Sequence, residues 1–126
     1  MKVKFDELAK LIDAISLTKR SKIQYEDRIY FIEPNGREGP EAEFFPSGTY
    51  NGADIYIWNK VRREFRRPMI LHEVIEADLF LHQKVPKSDA HKTAMKYDKD
   101  YAKNSLDSQT LKEYEEFRTS ISEFIK

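Results

Sequence analysis

Residues 68–82, PMILHEVIEADLFLH, set three carboxylates and two imidazoles inside an otherwise apolar run. Such a run belongs in the interior, where an ionised group costs on the order of several kcal/mol unless a partner or a metal neutralises it. Helical spacing gives the cluster a shape. At roughly 100° per residue, His72 and Glu76 lie about 40° apart and one turn from each other, with Glu73 on the flank of that stripe. A helix presents two metal ligands and a neighbouring base in this way.

The rest of the chain limits what can complete such a site. With 126 residues, 40% of them hydrophobic, the chain predicts one domain over 1–126, long enough to bury about two-thirds of its unfolded surface. Lys plus Arg and Asp plus Glu are both 22, so the formal net charge is zero. No global field draws the chain to nucleic acid or to an anionic membrane. Cysteine is absent, so any metal is held by imidazole, carboxylate and water. No apolar run approaches the ~18–20 residues of a membrane span, and the N-terminus lacks a signal-peptide core. A cytoplasmic protein is expected.

Phe5, Leu8, Ala9, Ile12 and Ile15 recur at helical spacing, predicting a first helix that ends near Leu17 or Thr18 with Asp6 and Glu7 in its first turn. Ile23, Tyr25 and residues 29–32 read as strand, with either a hairpin turn or a bulge at Asp27. All four glycines and three of the five prolines fall within 34–52, a long connection that is either a surface loop or one wall of a binding site. Its middle, 42–45, is apolar enough to pack or to form a short strand. Residues 53–58 alternate as a strand, Ile55 and Ile57 on one face, Tyr56 and Trp58 on the other. Asn59 can cap the helix that follows, which either runs from Lys60 through a kink at Pro68 or starts afresh at Pro68. Ser88 is the expected N-cap of a helix to Ala102, and Asp107 or Ser108 that of a last helix using Leu111, Tyr114, Phe117, Ile121, Phe124 and Ile125. The fold class is therefore α+β: an N-terminal helix, a small sheet of two to four strands, the helix carrying the cluster and two further C-terminal helices.

A catalytic zinc site needs three protein ligands, an open position for water and a carboxylate to take the water's proton. His72 and Glu76 supply two ligands and Glu73 the base. His82 points roughly 80° away from His72 around the helix, a poor partner for the same ion. His91 is better placed. On its helix Asp98 lies within roughly 20° of it, and the small Ala94 and Ala102 allow close approach of a neighbour. His91 is the expected third ligand, and Asp98 either a fourth or the carboxylate that orients an imidazole.

An edge-type strand over 54–58 leading into His72-Glu73-x-x-Glu76 resembles the zincin-like metallopeptidase superfamily, in particular minimal bacterial zincins. Their usual motif is His-Glu-x-x-His, and in the gluzincin branch a downstream helix adds a glutamate. The resemblance matches His72 to the first ligand and Glu73 to the base, and puts Glu76 where the second histidine stands. With His91 downstream the set is still two histidines and one glutamate. It implies a zincin-like fold, a bound Zn, hydrolysis of peptide or amide bonds, and a peptide or protein substrate lying along 54–58. A glutamate ligand also admits Mn, Fe or Ni.

Two other readings compete with this one. His72 and Glu76 could form a buried pair with Arg66 or Arg67, needing no metal. Alternatively the scaffold is a non-catalytic protein-binding module that contacts its partner through Phe44, Phe45, Tyr50 and Trp58, aromatics being enriched at binding hot spots, with a structural metal or none. His82 reads as exposed or as a C-terminal cap, Tyr101 as core with a lesser chance of stabilising an oxyanion, and 62–67 as a solvated basic face.

Overall fold

The structure is a computed structural model describing residues 1–36, 41–47 and 51–125. The expectations for Gly39, Pro40, Gly48 and Tyr50, and for the side chains of Ile121, Phe124 and Ile125, lie outside the described residues.

Helix α1 (Phe5–Ala14) buries Leu8 and Ile12 completely. It ends about three residues earlier than periodicity predicts. Ser16 Oγ accepts the N–H groups of Thr18 and Lys19 at 3.1 and 3.0 Å, a local bond that competes with the helix, and the extended Ile15 lets both Ile15 and Leu17 be buried. Strands β1 (Ser21–Tyr25) and β2 (Arg28–Gly36) form the hairpin alternative, with Tyr25 opposite Arg28. Glu26 turns the chain at φ +57°.

Strands β3 (Ala42–Pro46) and β4 (Gly52–Trp58) complete a mixed four-stranded sheet of order β1-β2-β4-β3. β4 runs parallel to β2 and antiparallel to β3, so that Ile55 lies between Ile32 and Phe44. This overturns the expectation that 54–58 is an edge. Its backbone groups are occupied on both sides, and β3, drawn from the glycine- and proline-rich connection, is the edge strand instead. Gly52 makes the parallel pairing close: at φ +158° a Cβ there would stand 1.7 Å from the Ile29 carbonyl oxygen.

Helix α2 (Arg63–Ala77) packs on β4 and β3 through a face that is buried continuously from Pro68 to Ala77. It follows the first alternative for Pro68, passing through it, but starts at Arg63 rather than Lys60. Arg62, not Asn59, stands at the cap, and the Asn59 carbonyl accepts Arg66 Nη2 at 2.9 Å instead. Beyond Ala77 the helix widens into a π turn, Asp78–His82. There Asp78 accepts Arg28 Nε at 2.5 Å, Arg28 Nη2 at 3.0 Å, Tyr30 OH at 2.6 Å and Gln83 Nε2 at 3.1 Å. The buried acid that has no evident role in the sequence thus fastens the end of α2 to β2.

Lys84 at φ +57° reverses the chain into α3 (Lys87–Ser105), which lies along α2. Pro86 rather than Ser88 occupies its cap position, fixing the φ that a first turn requires. Helix α4 (Ser108–Ile125) begins as expected, with Asp107 Oδ1 accepting the Thr110 N–H at 2.8 Å. Fold class α+β stands, with the elements in the predicted order. Among the described residues no helix is long and apolar enough to cross a membrane.

Candidate metal centre

His72 and Glu76 project one turn apart from the buried face of α2, and His91 reaches them from the facing side of α3. His72 Nε2 is 3.1 Å from Glu76 Oε1 and 3.3 Å from His91 Nδ1, and His91 Nδ1 is 2.8 Å from the same Glu76 oxygen. Among the described residues this is the one group of three side chains that could hold a metal ion. The spacing fits the chemistry: a tetrahedral ion with bonds of about 2.0–2.1 Å separates its ligand atoms by about 3.3 Å. The observed triangle needs only a few tenths of an ångström of expansion to take one.

Asp98 does not join that triangle. It stands behind His72, its Oδ2 2.6 Å from Nδ1, leaving Nε2 to face Glu76 and His91. Arg118 Nη2 also lies 2.9 Å from Nδ1 but has Asp98 Oδ2 as its acceptor at 3.0 Å. With the ionised carboxylate accepting the shorter contact, Nδ1 carries the proton and a neutral His72 would present its Nε2 lone pair to an ion, the arrangement in which an outer carboxylate fixes the tautomer of a metal-binding histidine. Asp98 is fully buried and is itself held by Tyr114 OH at 2.9 Å and Arg118 Nη2 at 3.0 Å, both from α4. Of the two roles open to it in the sequence, orientation of the imidazole is the one its position serves.

The charges are tuned accordingly. Burial opposes protonation of His72, but the hydrogen bonds to Asp98 and Glu76 outweigh it and push its pKa up to about 9. Burial likewise opposes ionisation of Glu76, and the bonds from His72 and His91 overcome it, holding the carboxyl at about 2. Among the described residues Glu73 has no such bond. Its carboxylate lies 3.7 Å from His72 Nε2, and burial pushes its pKa up to about 7, where a carboxylate can both take and release a proton near neutrality.

The centre opens into a cavity of about 670 Å³ whose lining includes Ala42 and Phe44 of β3, Glu73, Glu76, Lys87 and His91. The 34–52 connection therefore supplies, through β3, one wall of this cavity. Phe44 and Phe45 both belong to the cavity lining, and the Phe45 ring stands edge-on to Tyr56. Of the proposed aromatic contact surface, Phe44 and Phe45 thus stand at the cavity, Trp58 is not part of its lining, and Tyr50 lies outside the described residues.

Other sequence expectations are corrected by partners. Arg66 donates to the carbonyls of Val61 and Asn59, and Arg67 to those of Ile12 and Ile15, so neither neutralises the His72–Glu76 pair and the run is not simply a solvated face. Tyr101 is buried with its hydroxyl on Asp13, one turn beyond Asp98 and turned to α1, and serves no oxyanion. His82 is half-buried with its ring edge-on to Tyr30 rather than exposed, and burial lowers its pKa. Arg118 is the functional residue that the sequence reading omits. Its signal is an i, i+4 relation to Tyr114 on the apolar stripe of the last helix. In comparisons with known proteins, no family model, curated relative or solved structure matches this chain.

Proposed function

We propose that the protein is a small metal-dependent hydrolase of peptide or amide bonds, with a zincin-like arrangement in which His72, Glu76 and His91 hold a Zn-class cation and Glu73 is the general base. The observation that carries this reading is the convergence of three ligand atoms from two helices beside an unbonded, buried carboxylate at the floor of a cavity. A bound divalent cation would supply Lewis acidity, polarising the scissile carbonyl and acidifying water in its open position.

The chain's own residues account for the rest. Glu73 takes a proton from the attacking water as the water oxygen bonds to the carbonyl carbon. It then delivers that proton to the amide nitrogen as the C–N bond breaks, leaving a carboxylate and an amine. Asp98 keeps the His72 proton on Nδ1, and Arg118 and Tyr114 keep Asp98 in place. β3 is the last strand of the sheet among the described residues, and an extended peptide would add beside it, next to the cavity.

Zinc titration of chelator-treated protein, followed by elemental analysis, tests the reading. One equivalent of bound metal, lost in His91→Ala, is expected. Absence of any stoichiometric metal, with chelated and zinc-treated protein behaving identically, refutes it.

A further inference from the structure

The cavity carries a charge that neither metal binding nor proton transfer uses. Lys87 lies four residues before His91, on the same side of α3 and about 6 Å along the helix axis. Its Nζ stands 5.6 Å from the ring centre of Phe44 on β3 and 5.7 Å from that of Phe80 on the π turn, within the range of cation–π attraction to both. The ammonium is thereby stationed over the cavity between the sheet and the helices. Among the described residues it makes no ion pair, and no other lysine or arginine lines the cavity. The remaining charged lining is Glu43, Glu73 and Glu76, and by strand alternation Glu43 stands on the opposite face of β3 from Phe44.

We infer that Lys87 is a specificity determinant that receives a substrate carboxylate, selecting amides whose leaving-side residue is C-terminal, bears a free carboxylate and has an apolar side chain. The inference rests on the hydrolase reading above and names its substrate class. Lys87 and His91 stand one turn apart on α3 and both line the cavity, so a carboxylate held by Lys87 and a carbonyl at the centre belong to one short substrate segment. Lys87 is the one lysine or arginine side chain in the cavity lining among the described residues, so away from the centre it is the group that can attract a substrate carboxylate. The half-buried ring of Phe44, which lines the same cavity beside Lys87, gives the apolar side chain its contact.

The test uses zinc-loaded full-length chain and two probes, N-formyl-N-hydroxyphenylalanine with a free carboxylate and the same compound as its C-terminal amide, titrated by calorimetry at low salt. The acid is expected to bind about tenfold tighter than the amide to the wild type, the scale of one charge-assisted contact. The preference should survive in Lys87→Arg, collapse to within about twofold in Lys87→Met, and shrink as salt screens it. Equal binding of the two probes to the wild type, or an undiminished preference in Lys87→Met, overturns the role of Lys87 while leaving the centre intact. Zinc uptake with binding of neither probe also overturns it. Failure of zinc itself to bind removes the hydrolase reading, and the inference with it.

Discussion

Replacing Asp98 by asparagine separates the part of this buried network that holds the fold from the part that prepares a ligand. The carboxylate takes three hydrogen bonds, from His72 Nδ1 at 2.6 Å, Tyr114 OH at 2.9 Å and Arg118 Nη2 at 3.0 Å, with no exposure to water. Asparagine keeps the shape, its carbonyl can still accept, and the tyrosine hydroxyl can turn to accept from its amide. What disappears is the negative charge facing Arg118 and His72. Hydrogen bonds to charged groups are worth about 1.5–3 kcal/mol, and breaking a buried pair outright costs about 3–5. A loss of about 2–4 kcal/mol in urea unfolding of the chelated protein is therefore expected, within the roughly 5–15 kcal/mol that a domain has to lose.

The effect on metal has its own pH signature. Loss of the carboxylate that polarises His72 lowers intrinsic metal affinity by about 10–100-fold, but the same change lowers the basicity of His72, which is about 9 in the wild type. Proton and cation compete for the imidazole. The wild type is handicapped most at low pH, so the two proteins approach parity near pH 6 and diverge toward the full factor as pH rises through 9. Competition titrations against a chromophoric chelator at pH 6, 7.5 and 9 read this directly. A folded Asp98→Asn protein that binds zinc as tightly as the wild type at pH 9, or whose deficit does not change with pH, would show that Asp98 does not tune His72.

Glu73→Gln should keep the metal and lose hydrolysis by about 10²–10⁴-fold, the usual scale of a general base, as seen in peptide cleavage followed by mass spectrometry; equal rates in the two proteins would remove Glu73 from the chemistry. Chelated wild type should lose thermal stability as pH rises from about 4.5 to 9. Folded Glu73 titrates above its unfolded value, near 7 against 4.5, and folded His72 near 9 against 6.5, so both contribute stability that is lost as the proton leaves. Glu76, held at about 2, contributes stability lost as pH falls from 4.5 toward 2. Scanning calorimetry of chelated protein across pH 3–9 checks both limbs, and a melting temperature that climbs from pH 6.5 to 9 would contradict them. Asp78→Ala should cost about 3–5 kcal/mol by stranding Arg28 and Tyr30, yet leave zinc stoichiometry unchanged in whatever fraction remains folded at low temperature; a loss below about 1 kcal/mol in chemical denaturation would show that Arg28 is solvated without it.

The ligand triangle was legible because its members obey local arithmetic. His72 and Glu76 are four apart on one helix, and the small residues around His91 mark the face on which a second helix can close. The position of β4 was not, since an alternating segment reads the same at the edge of a sheet and at its centre; pairing with β2 on one side and β3 on the other is decided by distant residues. β3 was partly legible: the apolar 42–45 reads as able to form a short strand, as it does, but the glycines and prolines around it hide which strand it pairs with. The early end of α1 depends on Ser16 offering its hydroxyl to the backbone, which periodicity ignores. Asp78 shows the converse: its burial is readable from its neighbours, but the guanidinium that permits that burial lies fifty residues earlier in the hairpin.

The candidate ligands span only residues 72–91, whereas the groups that hold Asp98, Tyr114 and Arg118, come later in the chain. During synthesis the three ligands therefore leave the ribosome before the helix that finishes His72. A cation captured at that stage meets an imbalanced and pliable imidazole, and docking of α4 then converts a loose chelate into a firm one. By reciprocity, a cation that prefers the finished centre would pull α4 into place, so that the last helix, which reaches the centre only from behind His72 through Arg118, would be retained in proportion to the site's occupancy.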